Sequence, residues 1–304
     1  MKSWLAFGLI AILAIGLAIF VTLAVVARNQ AHALITNPID AREVLDALPT
    51  DFGLPYEEVT VTSDDGYRLE GWYIPTENGA VIMAQHGLKS NRVSMLEEAE
   101  MLHDGGYGVL LTTVRAHDES EGELISFGYY EMQDWEAWYQ FLLDQEDVDP
   151  ERIGALGTSM GATQAIQYAS LNDNIAAVVA HSPFSSIDDT VSVSVSAFTG
   201  LPPFPFASLI VFWAEQKLGI DSAEIDAKLW IDDISPRPVL ILQAGQDTVV
   251  SVDSGELLFN AAGEPKELWY ETQLGHAAFD TELPAEFEAR VVGFFDQYLF
   301  GTVP

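Results

Sequence analysis

The chain lacks cysteine altogether and is poor in basic residues. With no Cys among 304 residues, it cannot form a disulfide framework, a cysteine-ligated zinc site, a thiolate nucleophile or a lipidated cysteine. Its 13 Lys and Arg stand against 46 Asp and Glu, which gives a formal net charge of −33. Such a surface repels nucleic-acid phosphates, so we predict no nucleic-acid partner. The composition argues against disorder, because 49% hydrophobic and 11% aromatic residues can supply a large core.

Motifs for metals and nucleotides are also missing. The sequence contains neither H-E-x-x-H nor a G-x-x-x-x-G-K-[ST] phosphate loop, and its six histidines are scattered. We therefore predict no metal and no other cofactor.

The N-terminal segment is one long apolar run. No residue from 3 to 27 is charged, and only Ser3 and Thr22 carry a hydroxyl. As a helix this run measures about 37 Å, enough to cross a hydrocarbon core of ~30 Å. We predict a single-pass transmembrane anchor at 1–28 and a linker at 29–56. The alternative is a signal peptide, since Ala31-His32-Ala33 offers an A-x-A-like cleavage site.

The flanks of the run suggest its orientation. Lys2 precedes the run, and Arg28 and Arg42 follow it, so the basic residues do not decide which side faces the cytoplasm. A very short N-terminal tail and a long domain behind it favour a domain outside the cytoplasm. The membrane is the predicted partner of the helix, and the oligomeric state stays open.

The rest of the chain alternates apolar strands with amphipathic helices. The predicted strands are 57–62, 67–74, 80–84, 107–113, 152–156, 175–180, 238–243 and 268–271. The predicted helices are 92–103, 130–144, 160–170, 253–262 and 285–300. This alternation predicts one α/β domain at 57–304, with a mostly parallel central sheet and helices on both faces.

One long connection interrupts the alternation. Residues 183–237 separate the sixth and seventh predicted strands and include an apolar, aromatic-rich tract. Long connections in compact domains are commonly lids, so we predict a short cap here. We expect four of its side chains to bind an apolar part of a substrate, namely Phe198, Phe204, Phe206 and Phe212. Alternatively, this tract packs over the sheet.

The sequence Gly157-Thr158-Ser159-Met160-Gly161 has the pattern G-x-S-x-G between a predicted strand and a predicted helix. In this context the glycines allow a tight turn that leaves the serine hydroxyl exposed above the sheet. Ser159 is therefore the predicted nucleophile.

A serine hydroxyl needs a base that is held by a carboxylate, in the chain order Ser, Asp or Glu, His. Four of the six histidines precede Ser159, and no acid follows a strand between Ser159 and His181. Asp247 and His276 follow the last two predicted strands, at the sheet edge expected for Ser159. We predict Ser159, Asp247 and His276 as a catalytic triad.

An oxyanion requires preorganised backbone donors. One is expected from Met160, the residue after the nucleophile, and the other from the loop that follows the third strand. That loop reads Gln85-His86-Gly87-Leu88, and we assign the second donor to the N–H of Leu88. Gly87 allows close approach of the backbone, and His86 is expected to support the loop.

Together these residues resemble the α/β-hydrolase superfamily of serine hydrolases. Within it, the chain resembles membrane-anchored or secreted bacterial esterase-like members related to the serine-aminopeptidase-like group. The resemblance spans about residues 57–300 and rests on His86-Gly87, Arg92, Arg115–Ser120, Phe127–Glu131, Gly157–Gly161, Ile234–Val239, Asp247 and Gly275-His276. It implies the same triad, the same oxyanion donors and a cap between strands six and seven. The chain departs from it at Thr113, where relatives often carry Asp, and at Asp118, where they often carry Gly.

The predicted function is hydrolysis of a small-molecule carboxylic ester with an apolar acyl or alcohol group, through an acyl-enzyme. A peptidase, a thioesterase or a lipid acyl hydrolase would use the same three residues. A non-catalytic, membrane-tethered binding module is the alternative outside enzymes.

Overall fold

The structure, a computed structural model, describes residues 2–301. Within that range eight strands form a single sheet. They are β1 (Glu57–Thr62), β2 (Arg68–Ile74), β3 (Val81–Gln85), β4 (Gly108–Thr112), β5 (Ile153–Thr158), β6 (Ile175–His181), β7 (Val239–Ala244) and β8 (Lys266–Glu271). All eight predicted strands are present, with ends shifted by at most two residues.

The strand order across the sheet is β1-β2-β4-β3-β5-β6-β7-β8. The predicted hairpin β1–β2 is antiparallel, and β2 also pairs antiparallel with β4. Every other pairing is parallel, because each of those strands is followed by a crossover that returns to the same edge. The carboxyl ends of β3, β5, β6, β7 and β8 therefore meet at one edge.

Nine helices accompany the sheet in the described part of the chain. They are α1 (Lys2–Ile35), α2 (Leu96–Asp104), α3 (Glu131–Leu143), α4 (Met160–Leu171), α5 (Ile187–Thr199), α6 (Pro203–Leu218), α7 (Ser254–Ala261), α8 (Phe279–Glu282) and α9 (Pro284–Phe300). The five helices predicted for the domain correspond to α2, α3, α4, α7 and α9, so the predicted α/β-hydrolase fold class is confirmed.

Alternating residues of the strands face two separate hydrophobic cores. Met83 and Leu110 lie in the core that α3 and α4 cover, whereas the preceding residues, Ile82 and Val109, lie in the core that α2 and α9 cover. This is the period of two that a pleated strand imposes. With both faces buried, β3 and β4 are apolar along most of their length.

Helix α1 is longer than the apolar run predicted. It passes Arg28 and ends at Ile35, so residues 29–35 of the predicted linker are helical. The helix continues because three apolar residues spaced four apart, Ala27, Ala31 and Ile35, form a stripe along one side that is buried in the domain. Most large side chains before this stripe are exposed, from Phe7 to Val25, and Leu23 is half-buried against the core.

The connection between β6 and β7 forms the predicted cap. It consists of α5, α6 and three short 3-10 turns, and its two helices are bent by 113° relative to each other. Val191 and Val195 of α5 are buried one helical turn apart, which explains why this valine-rich segment is a helix.

Candidate active site

The turn after β5 is a sharp strand-to-helix elbow. Ser159 adopts φ +57° and ψ −115°, and α4 begins at the next residue. A Cβ on Gly157 would lie 2.2 Å from the carbonyl oxygen of Gly161, so a side chain does not fit there. The N–H of Ser159 donates to the carbonyl of His181 at 2.8 Å, which ties the elbow to the end of β6.

The three residues of the predicted triad lie in hydrogen-bonding contact. His276 Nε2 lies 2.9 Å from Ser159 Oγ, and His276 Nδ1 lies 2.6 Å from Asp247 Oδ2. The Asp247 carboxylate is fully buried, and its other oxygen accepts the N–H groups of Val249 and Val250 at 2.8 Å each. These bonds hold the carboxylate in one orientation, and the carboxylate in turn orients the imidazole.

The loop that carries His276 is held by a serine that the sequence analysis missed. Ser182, just after β6, has φ +55°, and its Oγ accepts the N–H of Ala277 at 3.1 Å. Ala277 itself has φ +49°. The only sequence feature that could have indicated this role is the position of Ser182, directly after a strand that ends at the active-site edge. Its hydrogen-bond partner Ala277 is 95 positions away in the chain, so the sequence does not reveal the contact.

The two predicted oxyanion donors border the nucleophile. A Cβ on Gly87 would lie 3.4 Å from Ser159 Cβ, so the loop containing Leu88 runs directly beside the serine. Met160 is the first residue of α4, where N–H groups have no partner within the helix. Within residues 2–301 neither the N–H of Leu88 nor that of Met160 donates to a protein acceptor. Neither N–H group is therefore committed to another partner in the described residues.

Two buried histidines support the loop 85–89, which carries the predicted oxyanion donor Leu88 and which we name the oxyanion loop. His86 Nδ1 lies 2.8 Å from the carbonyl oxygen of Gly87, and His117 Nε2 accepts the N–H of Lys89 at 3.0 Å. Burial lowers the pKa of His86 to about 4 and lowers that of His117 well below its usual range, so both rings are neutral near pH 7. The predicted support role of His86 fits this contact, whereas His117 had not been assigned a role.

The two departures from the family pattern are neighbours in space. Asp118 adopts φ +51°, a conformation that favours glycine. Its carboxylate lies 3.4 Å from Thr113 Oγ1 and 3.0 Å from Arg92 Nε. The Asp118 carboxylate thus pairs with a guanidinium that stacks on Trp72 at 4.5 Å.

The remaining histidine at this edge is enclosed by aromatic rings. The ring of His181 is buried between Phe279 and Phe287, with centroid distances of 5.4 Å to each. Burial lowers its pKa to about 3, so the ring is neutral. Within residues 2–301 neither ring nitrogen has a hydrogen-bond partner.

The four phenylalanines predicted to bind substrate lie on the cap with different exposure. Phe206 is buried, whereas Phe198, Phe204 and Phe212 are 72%, 87% and 48% exposed. Among the described residues, no hydrogen bond or ring contact joins any of them to the predicted triad. In the described part of the chain, no group of three His, Asp or Glu side chains is arranged to hold a metal ion.

Comparison with known proteins identifies the fold and the superfamily. A family model described as X-Pro dipeptidyl-peptidase (S15 family) matches residues 54–200. The uncharacterized protein MT2364 of Mycobacterium tuberculosis is 31% identical over 223 residues, 72% of each chain. The esterase Pf2001 of Pyrococcus furiosus is 27% identical, with a TM-score of 0.73 over 87% of this chain and 100% of that one.

The α/β hydrolase GrgF from Penicillium sp. sh18 superimposes with a TM-score of 0.67 over 81% of this chain and 100% of that one, at 18% identity. The chain belongs to the α/β-hydrolase superfamily of serine hydrolases. In this hydrolase the matched family segment contains the elbow and the oxyanion loop, while Asp247 and His276 lie beyond it.

Proposed function

We propose that this hydrolase cleaves carboxylic esters through an acyl-enzyme formed on Ser159. The observation that carries the proposal is the continuous contact from Ser159 Oγ through His276 to Asp247, beside two unpaired backbone N–H groups. An imidazole in this position can take the hydroxyl proton while the hydroxyl attacks. A buried carboxylate stabilises the imidazolium that results.

The reaction proceeds in two halves. Ser159 Oγ forms a bond to the ester carbonyl carbon while His276 Nε2 accepts its proton, and the oxyanion receives the N–H groups of Leu88 and Met160. His276 then donates that proton to the leaving alcohol as the C–O bond breaks. A water molecule attacks the acyl-enzyme with His276 as base, and the acid leaves as Ser159 regains its proton. Each oxyanion donor contributes about 3–4 kcal/mol to transition-state stabilisation.

An ester is our first choice because Pf2001, named an esterase, is similar along its whole length. Peptide hydrolysis is the second candidate, because the family model that matches is described as a dipeptidyl-peptidase. Both reactions use the same three residues, so the leaving group distinguishes them. The mechanism requires no cofactor.

The test compares aryl esters of increasing acyl length with a matched anilide and a thioester. We expect ester turnover by the full chain in detergent, lowered by about four or more powers of ten in Ser159→Ala. Ser170→Ala, at the other end of α4, is the matched control and should keep full activity. Equal rates in the wild type and Ser159→Ala would refute the nucleophile, and an inert Ser159 toward a fluorophosphonate would indicate a binding module.

We also propose that α1 anchors the enzyme, with the catalytic domain outside the cytoplasm. The segment Phe7–Ile35 is long and apolar enough to cross a membrane, and none of its most apolar window is buried. The intact mass of the membrane-extracted protein tests this directly. A mass that begins after Ala33 would establish a cleaved signal peptide instead.

A further inference from the structure

The end of the cap is an exposed apolar surface on an acidic protein. The junction of α5 and α6, residues 198–204, which we name the cap tip, exposes Phe198, Phe204 and two prolines. Residues 191–214 contain no Asp, Glu, Lys, Arg or His, although the chain has 46 acidic residues. Exposed apolar patches without charge mark interaction sites. The occupant of this surface must itself be apolar.

Helix α1 indicates the occupant, because it packs side by side with α6. Its stripe Ala27, Ala31 and Ile35 is buried on this side of the domain. Ile35 and Leu218, the last residues of the two helices, line one apolar recess together with Phe127. Both helices thus end at the same place and extend from it in the same direction.

Positions along the two helices can be compared by their distance from the last residue of each, because a helix rises ~1.5 Å per residue. α6 is kinked at Phe204, and its continuous part rises about 20 Å over the 13 residues from Pro205 to Leu218. The same distance along α1 from Ile35 leads to Thr22, inside the exposed apolar run. The cap tip therefore lies beside the part of α1 that is suited to a hydrocarbon core.

A basic recess lies between the same helices, nearer to their C-terminal ends. Its lining residues are Arg28, Asn29, His32, Trp213, Gln216 and Lys217, and none of them is acidic. Within residues 2–301, neither Arg28 nor Lys217 forms an ion pair. Arg28 is the first charged residue after the apolar run. Basic side chains and Trp at such a boundary are typical of the headgroup level of a bilayer.

We propose that α1 and α6 together form a surface that docks on a lipid bilayer. The cap tip inserts among the acyl chains beside α1, and the basic recess receives the phosphate of an anionic lipid at the interface. Insertion requires no desolvation of a charged group, because 191–214 carry none. The remaining acidic surface repels anionic lipids, so the recess is where one is held. The proposal rests on α1 lying in the bilayer and is independent of the catalytic mechanism.

The absence of native cysteine gives a direct test of insertion. Three single-cysteine variants of the full chain, Phe204→Cys, Ile12→Cys and Leu171→Cys, are labelled with an environment-sensitive fluorophore in phosphatidylcholine vesicles. All three positions are exposed in the structure, and Leu171 lies at the end of α4 away from the active-site edge. Vesicles with brominated acyl chains should quench the labels at 12 and 204 at least twofold and leave the label at 171 unquenched.

Two results would overturn the proposed insertion of the cap tip into the bilayer. If the label at 204 behaves like the label at 171 while the label at 12 is quenched, the cap tip lies in water. If the label at 12 is also unquenched, α1 does not lie in the bilayer and the whole surface is refuted. Ester turnover enters neither result, so failure here is distinguishable from failure of the proposed function.

The recess is tested by native mass spectrometry of the full chain in detergent, with phosphatidylglycerol and phosphatidylcholine as probes. We expect the protein to retain phosphatidylglycerol in preference to phosphatidylcholine. The affinity for phosphatidylglycerol should fall about thirtyfold in Arg28→Gln/Lys217→Gln, the loss expected when two basic charges near an anionic headgroup are removed. Lys228→Gln/Arg290→Gln makes the same change of charge elsewhere and should retain the lipid. An unchanged preference in the first variant would refute the recess. Equally tight binding of inorganic phosphate would make it a free-phosphate site and overturn the lipid assignment.

Discussion

Alanine substitutions at two helical glycines distinguish the effect of tight packing beside the proposed nucleophile from the effect of helix propensity. Gly161 lies in the first turn of α4, and Gly293 lies inside α9. Replacing a helical glycine with alanine generally stabilises a protein by about 0.5–1 kcal/mol. A Cβ on Gly293 would meet nothing within 4 Å, whereas a Cβ on Gly161 would lie 2.2 Å from the carbonyl oxygen of Gln85. The two substitutions should therefore have opposite effects.

The magnitude for Gly161→Ala follows from this overlap. Ordinary contact begins at 3.4 Å, so α4 and the end of β3 must separate by about 1 Å. Overpacking costs about 1–3 kcal/mol, and we expect the upper end because the obstacle is backbone. The end of β3 leads into the oxyanion loop, and a misplacement of ~1 Å can lower a rate by about a hundredfold.

Thermal unfolding in detergent and ester turnover measure the two effects. We expect Gly161→Ala to lower Tm by about 6–12 °C and kcat by at least tenfold, and Gly293→Ala to raise Tm by about 1–3 °C with kcat unchanged. A Gly161→Ala enzyme with wild-type Tm and kcat would show that the steric reasoning is wrong. A lower Tm in Gly293→Ala would refute the propensity argument.

Three further substitutions test other contacts. Burial raises the pKa of Glu98 to about 8. Between about pH 4.5 and 8 the folded state therefore holds a proton that the unfolded chain has lost, so the stability of the fold decreases as pH rises through this range. Glu98→Gln should therefore raise Tm more at pH 8 than at pH 5, unlike Glu100→Gln at an exposed site of the same helix. His117→Ala should lower kcat about tenfold with little change in KM, because the loop of Leu88 loses its acceptor; an unchanged kcat would contradict this. Arg42→Met should lower the free energy of unfolding by about 1–3 kcal/mol, measured by urea denaturation, because four carbonyls lose a charged donor; wild-type stability would contradict this.

The sheet and the proposed triad were predictable because their signals are local or follow from chain order. A strand such as β3 is buried on both faces, so its sequence is an unbroken apolar run up to Gln85. The elbow at Ser159 is specified by two glycines within five residues. Asp247 and His276 each follow a strand, and the parallel arrangement brings those strand ends to one edge.

Contacts between distant segments could not be predicted in this way. Arg115 lies in a motif that the sequence analysis singled out, yet its partners Asp65 and Asp134 are 50 and 19 positions away. Nothing in a run of residues reports such a pairing. The end of α1 was predicted at Arg28 because the apolar run stops there, while the contacts that continue the helix come from α6.

The contacts of α1 bear on whether the N-terminal segment is an anchor or a cleaved signal. Cleavage after Ala33 would remove Ala27 and Ala31 from the core and expose the face of α6 against which they pack. It would also disturb the carbonyl of Ala33, which accepts a hydrogen bond from the ammonium group of Lys89. The backbone N–H of Lys89 donates to His117 beside Leu88, the proposed oxyanion donor, so Lys89 joins the end of α1 to the proposed active-site loop. A segment that is discarded has no need of such contacts, and they favour a helix that remains part of the enzyme.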